Sequence, residues 1–428
     1  MKEAVEIAVL NRPNLQAYKF AIEAAKTKGM QALSLYLPQV NLQASIGEKI
    51  GSNDPQTKIG VTASQLVYSF AGPIERYKQA KKTTKIQELA YDQTKKEIKY
   101  EVEQAFLDCW KLQQHNKDIL ALNKSTKTTY NSAEHANTLK LSNKSTWLKS
   151  NAQYAQGLAT IDNYYKELAM AQKRLEFFMG QPIDLSLENL ESPSSISSKN
   201  NQHVLTLALE WHDPKDINSL PLTSYYKYAM ANKESLKIAD KNIGIARDEV
   251  HIQARSNMPT VSLNAASSYQ SVESTIVGVE LQSLGKPLPR NYYHVEAQIS
   301  WPIFNGLLSD YKEKEAHANM LREMLGKEQV LQKIKVDIDQ AHTILQQAIT
   351  NLKAEKASFI FAKNELALSQ QQLDLGEISK VDFNTALTAW EKTNYAYLAK
   401  KINVAKQERT LAYMCGYPKE LNSAQASA

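Results

Sequence analysis

Two periodicities divide the chain. From residue 40 onward apolar and polar residues alternate, with Val40, Leu42, Ala44 and Ile46 set against Gln39, Asn41, Gln43 and Ser45. That is the period of a strand with one apolar and one polar face. The alternation returns at residues 59–67, 261–269 and 293–303. In the last, Tyr293, Val295, Ala297, Ile299, Trp301 and Ile303 oppose His294, Glu296, Gln298 and Ser300. Four strands are therefore predicted, at about 39–47, 58–70, 260–270 and 292–304. Elsewhere the period lengthens. Leu331, Ile334, Ile338, Ala341, Leu345, Ala348 and Leu352 step by three and four, a heptad seam that packs a helix against other helices.

The helices are long. No proline follows Pro73 before Met179, and none lies between Gly306 and Gly416. A helix from Leu307 to about Leu373 would span on the order of 100 Å at 1.5 Å per residue. Gly376 marks a turn, and 380–414 runs back as a second helix. Each half thus predicts a helical hairpin, at 73–180 and 306–416.

The halves are copies of one another. "LPQVNLQAS" at Leu37 lies over "MPTVSLNAA" at Met258, 221 residues on. "FFMGQP" lies over "AYMCGYP", with Gly180 over Gly416, 236 residues on. The change of offset places an insertion within 270–291. The predicted division is a first repeat at 1–182, a polar linker at 183–222, a second repeat at 223–418 and a disordered tail at 419–428.

Composition narrows the chemistry. Fourteen glycines and 13 prolines in 428 residues favour long helices, and a net charge of +6 is spread without a dense basic patch, which argues against nucleic-acid binding. Two cysteines, Cys109 and Cys415, form no disulfide framework. Cys109 continues an apolar stripe with Ile98, Val102, Ala105 and Leu112, so a core thiol is expected. The eight histidines lack metal-ligand spacing and read as scattered surface residues. Asp337 and Asp339 sit on a lysine-rich helix and read as a solvated face. No P-loop, "GxSxG" or "HExxH" is present, so neither an enzymatic role nor a cofactor has support. No apolar run reaches the length of a membrane helix, and the start "MKEAVEIAVLNRPNLQ" has no signal core; either the chain stays in the cytosol or a leader was removed.

The strands decide between these. Aromatics collect at their ends: Tyr68, Phe70, Tyr269, Tyr292, Tyr293, Trp301 and Phe304, as at membrane interfaces. A sheet in hydrocarbon must close, because an open edge leaves backbone groups unpaired. Four strands cannot close. Two copies give eight strands and a filled interior; three give twelve and room for an aqueous path. The competing readings are hairpins capping a soluble helical bundle, a coiled-coil stalk, or an adaptor with a single hairpin.

The order and duplication of these segments resemble TolC-type outer-membrane channel proteins. The resemblance rests on "LP.V.L.A" at the first strand of each copy, "WPIFNG" at a strand exit and "LGEISKVDFNTA" at a helical turn. It implies a mainly α chain with a membrane β-barrel, assembling as a homotrimer with a 12-stranded barrel in the outer membrane of a Gram-negative bacterium and a helical tunnel through the periplasm. It also implies a passive exit duct for efflux or type I secretion, working with a periplasmic adaptor and an inner-membrane pump of RND or ABC type. In the family the helical turns meet the adaptor. The corresponding positions here are Leu375, Gly376 and Glu377, and in the first copy Leu139, Lys140 and Leu141, where Lys140 replaces the glycine. In the family's best-known member two aspartates ring the periplasmic mouth; the corresponding positions here are Asp382 and Thr385. Asp382 is expected to attract cations there, to cap the helix after the turn, or to do both. Positions that lock the family's closed state fall on Leu373 and Ile378, with Thr146 in the first copy. Apolar packing of Leu373, Ile378 and Trp147 is expected instead.

Overall fold

The computed structural model describes residues 1–48, 55–70, 72–140, 144–182, 221–272 and 290–418. Within them one order of elements occurs twice. It runs α1 (Lys2–Asn11), α2 (Pro13–Ser34), β1 (Gln39–Glu48), β2 (Pro55–Ser69), α3 (Pro73–Thr138) and α4 (Lys144–Met179). It then repeats as α5 (Leu222–Asn232), α6 (Glu234–Ala254), β3 (Thr260–Val272), β4 (Arg290–Ser300), α7 (Leu308–Asp374) and α8 (Lys380–Met414). Most of the expected linker, much of the expected insertion and the expected tail lie outside the described residues.

The copies agree in detail. Arg12 separates α1 from α2 in an extended conformation (φ −70°, ψ 119°), as the residue before a proline prefers. Lys233 separates α5 from α6 with nearly the same angles (φ −74°, ψ 121°), although no proline follows it. Both cations sit over aromatics. Arg12 lies 5.1 Å from the Phe177 ring centroid and pairs with Glu101, and Lys233 lies 4.7 Å from the ring of Tyr413. Close approach fixes two glycines: a Cβ on Gly416 would stand 3.0 Å from the Asn232 backbone, and one on Gly180 3.2 Å from the Cβ of Asn11.

Contacts divide the chain into two compact units that cut across these copies. One contains 18–90 and 235–330, and the other 1–17, 91–234 and 331–428.

The first unit holds an antiparallel sheet in the order β1-β2-β3-β4, with β1 and β4 as its edges. Its helices are tied by polar pairs: the Lys82 ammonium lies 2.7 Å from an Asp248 carboxylate oxygen, and the Gln79 amide donates to Glu249 at 2.9 Å. All four expected strands form, with shifted ends. β4 stops at Ser300, so Trp301 and Ile303 continue the alternation beyond the ladder. Pro302, lacking an N–H, cannot extend it.

In the second unit α3 is buried on two sides. Val102, Phe106 and Cys109 pack with Ala4 and Ala8 of α1 and with Leu175 and Met179 of α4. Farther along, Leu112 and Ile119 meet Tyr164 and Leu168 of α4. The opposite side meets α8 through Leu107 and Trp110 against Ile402 and Ala405. Beyond that patch the α3–α8 seam is polar. Lys406 lies 2.5 Å from Asp108, the Asn394 amide donates to Asp118 at 2.7 Å, and Asn384 bonds both Ser125 and Thr129 at 2.7 Å. The heptad seam on α7 is real: Ile334, Ile338, Ala341, Leu345 and Ala348 are all buried. Cys109 is fully buried, and that burial pushes its thiol up to about 12, leaving it protonated and inert.

One expectation fails here. His115 is not a surface residue. It is 5% exposed, its Nε2 lies 3.0 Å from Glu391 on α8, and its ring stacks on Tyr395 at 4.1 Å. The amphipathic pattern of α3 gave no sign of a partner 276 positions away.

Candidate functional site

Two regions hold the candidate site: the faces of the sheet and the turns of the helical hairpins. Directly opposed residues of an antiparallel pair share a face. The register sets Val40 opposite Ala63, Ala63 opposite Ala265, and Ala265 opposite Val295. Neighbouring rows join Leu42 to Val61, Ala44 to Ile59 to Tyr269, and Val261 to Ile299. One face is therefore largely apolar across all four strands, interrupted by Ser267 and Gln65. The reverse face carries Asn41, Thr62, Ala266 and His294 in one row and Gln39, Ser64, Asn264 and Glu296 in another. A register shift between Leu66 and Tyr68 returns Tyr68 to the apolar face, opposite Val261. The apolar face is open: Val40, Leu42, Val295 and Ile299 are each more than 65% exposed.

The aromatics fall at the two ends of the strands. Ile59 pairs with Tyr269, and Ser267 and Ser268 pair with Tyr293 and Tyr292 at the end away from the helices. Tyr68 and Phe70, packed edge to face at 4.8 Å, lie at the helical end, as do Trp301 and Phe304 in sequence.

At the second turn α7 closes with Gly376 in the left-handed region (φ +75°). Its N–H donates to Leu373 O at 3.0 Å, and the Glu377 N–H donates to Gln372 O at 2.8 Å, the bonding of a Schellman cap. At the first turn Lys140 takes the glycine's place with φ +53°, and its N–H donates to Asn137 O at 3.1 Å. The backbone shape is kept while a cationic side chain is added, at a conformational cost of about 1 kcal/mol. Leu139 and Leu375 are 67% and 75% exposed. Leu373 and Ile378 are half-buried. Leu141 lies outside the described residues.

Asp382 sits in the first turn of α8, but it is not the cap. Ser379 is: its Oγ accepts from the Asp382 N–H at 3.2 Å and donates to the Asp382 carboxylate at 2.7 Å, a reciprocal box. The other carboxylate oxygen accepts from the Lys149 ammonium at 2.9 Å. The hydrogen bonds from Lys149 and then Ser379 hold Asp382 below the usual carboxylate range. Thr385 accepts from the Gln153 amide at 2.9 Å. Lys149 and Gln153 of α4 escaped the sequence reading. Ser379 was legible as the S-x-x-D spacing, whereas no local pattern pairs residues 233 positions apart. Nearby, Trp147 Nε1 and Ser150 Oγ are buried without a partner.

Comparison with known proteins agrees with this geometry. The family described as outer membrane efflux protein matches residues 4–181 and 225–417. The chain belongs to that family. It is an outer-membrane efflux channel protein, a passive conduit rather than an enzyme. No curated protein matches it in sequence. Among solved structures, it is similar to the CmeC outer membrane channel of Campylobacter jejuni (TM-score 0.74, 15% identity, 97% of this chain and 85% of that one). It is also similar to the outer membrane protein VceC of Vibrio cholerae (0.70, 14%, 97% and 96%) and to the open-state MtrE outer membrane channel of Neisseria gonorrhoeae (0.71, 15%, 97% and 88%).

Proposed function

We propose that three copies of this chain close into a 12-stranded barrel, and that the resulting homotrimer is the outer-membrane exit duct of a tripartite efflux pump. The observation that supports this is the sheet itself. It is predominantly apolar on one face, predominantly polar on the other, and unpaired at β1 and β4. In hydrocarbon those edges find partners only on sister chains. The apolar face then meets lipid and the polar face lines the lumen. The division into repeats at 1–182 and 223–418 gives each subunit two strand pairs and two hairpins.

The turns at Leu139–Lys140–Leu141 and Leu375–Gly376–Glu377 are the proposed contacts for a periplasmic adaptor, which links the duct to an inner-membrane pump of RND or ABC type. Asp382, Thr385, Leu373 and Ile378 form the proposed constriction. Because Lys149 accompanies Asp382, that ring is polar but charge-compensated, and the cation-attracting reading gives way to it.

Two measurements test the assembly. The protein should fractionate with outer membranes and leave detergent as a particle of three chain masses, each 48.2 kDa; a monodisperse soluble protein without detergent would overturn the reading. Ile299→Lys should impair membrane assembly by about 2–4 kcal/mol if the site lies near the midplane, whereas Gln298→Lys should be tolerated. Equal tolerance at the two sites would contradict the assigned faces.

A further inference from the structure

Beside the sheet, α2, α3 and α6 enclose a groove of about 920 Å³. Gly29, Met30, Tyr77 and Ala80 line it together with Lys26, Lys78, Lys81, Lys82, Lys85 and Lys241, and only Glu23 and Glu88 among the lining residues oppose these cations. Three of these lysines are already engaged, Lys78 by Glu75, Lys82 by Asp248 and Lys85 by Glu88. Lys26, Lys81 and Lys241 are exposed and have no carboxylate partner among the described residues. An apolar trough with uncompensated positive charge on its rim suits an anion that carries a hydrocarbon tail.

The side of the wall on which it opens follows from the helix. A separate recess at the foot of the sheet is bordered mostly by the polar face, at Gln39, Ser64, Leu66 and Ser262, with Gln65 from the other face, and reaches Arg76 of α3. At 3.6 residues per turn, Arg76 points about 140–180° away from Lys78, Lys81 and Lys85. The lysines therefore lie on the side of the sheet's apolar face. Lys78 and Lys85 stand about 8 and 18 Å along α3 from Pro73, where a headgroup layer would border the hydrocarbon in which the sheet sits. An adjoining recess shares Thr27 and Met30 with the groove and continues past Leu33 to Leu37, two residues before β1.

We propose that this groove seats an anionic phospholipid. The headgroup phosphate is held by Lys26, Lys81 and Lys241, and one acyl chain runs along Met30, Leu33 and Leu37 toward the apolar face. This rests on the reading that the apolar face meets lipid. Each lysine beside an anionic headgroup is worth roughly fivefold in affinity, so the three together should produce clear lipid selectivity.

The test places the full-length protein in nanodiscs of phosphatidylcholine with and without phosphatidylglycerol, then extracts it gently and weighs the retained lipid by native mass spectrometry. The wild type should retain phosphatidylglycerol several-fold over its share of the bilayer. K26Q/K81Q/K241Q should bring that ratio to about one without changing insertion or copy number, and K26R/K81R/K241R should keep it. Insertion without lipid preference, equal preference in the glutamine variant, or displacement of the lipid by inorganic phosphate would each overturn the proposal. Loss of subunit association in the glutamine variant would do so too, by making the groove a contact between copies. Failure of the wild type to enter nanodiscs would overturn the lipid-facing reading and this proposal with it.

Discussion

The two sides of α3 are built from different chemistry. Toward α1 and α4, inside one repeat, the contact is closed and apolar around Phe106, Leu175 and Met179. Toward α8, across repeats, it starts with a small apolar patch and then becomes a ladder of directional pairs: Asp108 with Lys406, His115 with Glu391, Asp118 with Asn394, and Ser125 and Thr129 with Asn384. Apolar burial resists separation roughly in proportion to area. Hydrogen bonds exchanged for water lose little on balance, but a single partner stranded in the interior is costly. The hairpin is thus joined through apolar area, whereas the seam between repeats is matched pair by pair for register.

The largest effect that separates the two seams is on the apolar side. Phe106→Ala removes a fully buried ring and should cost about 3–5 kcal/mol in denaturant unfolding of the detergent-solubilised protein. On the polar side the outcome should depend on how many partners are removed. His115→Ala leaves the Glu391 carboxylate buried without its partner and should cost on the order of 3 kcal/mol, while His115→Phe with Glu391→Leu should come out near neutral. If the double variant is as damaged as the single one, the seam is not held by matched pairs. Asn384→Leu takes the acceptor from the Ser125 hydroxyl and one of the two bonds from Thr129, which still donates to Ser125 O, and should cost about 1 kcal/mol. Smallest of all is the surface pair beside the turn. Asp382 is held below its ordinary value, so its contribution is complete above the ordinary carboxylate range and fades as pH falls through the lowered value. Lys149→Gln should flatten that acid-side dependence in thermal melts; an unchanged profile would mean that the pair does not form.

The sequence announced whatever depends on apolar spacing. The seam on α7, the core thiol at Cys109 and the alternation that becomes one apolar sheet face were all visible as period. The polar seam was not, because hydrophobic periodicity is silent about which polar residue meets which. His115 looked like a solvated residue for that reason. Strand ends were misjudged for a related one: the pattern of side chains runs on through Trp301 and Ile303, while the ladder stops where Pro302 has no donor. Lys140 was noticed as a missing glycine, but only the backbone shows that it adopts the glycine's conformation. Of the positions around the proposed constriction, the family resemblance pointed to Asp382, and the fold added Lys149.

That last addition has an electrical consequence. The repeat-mates of Lys149 and Asp382 are Thr385 and Thr146, so among these four positions formal charge sits on one diagonal. Three such pairs around an axis would add no net charge to the mouth. Currents through a reconstituted duct would then show a cation-to-anion permeability ratio near unity, and Lys149→Gln alone would tilt it toward cations.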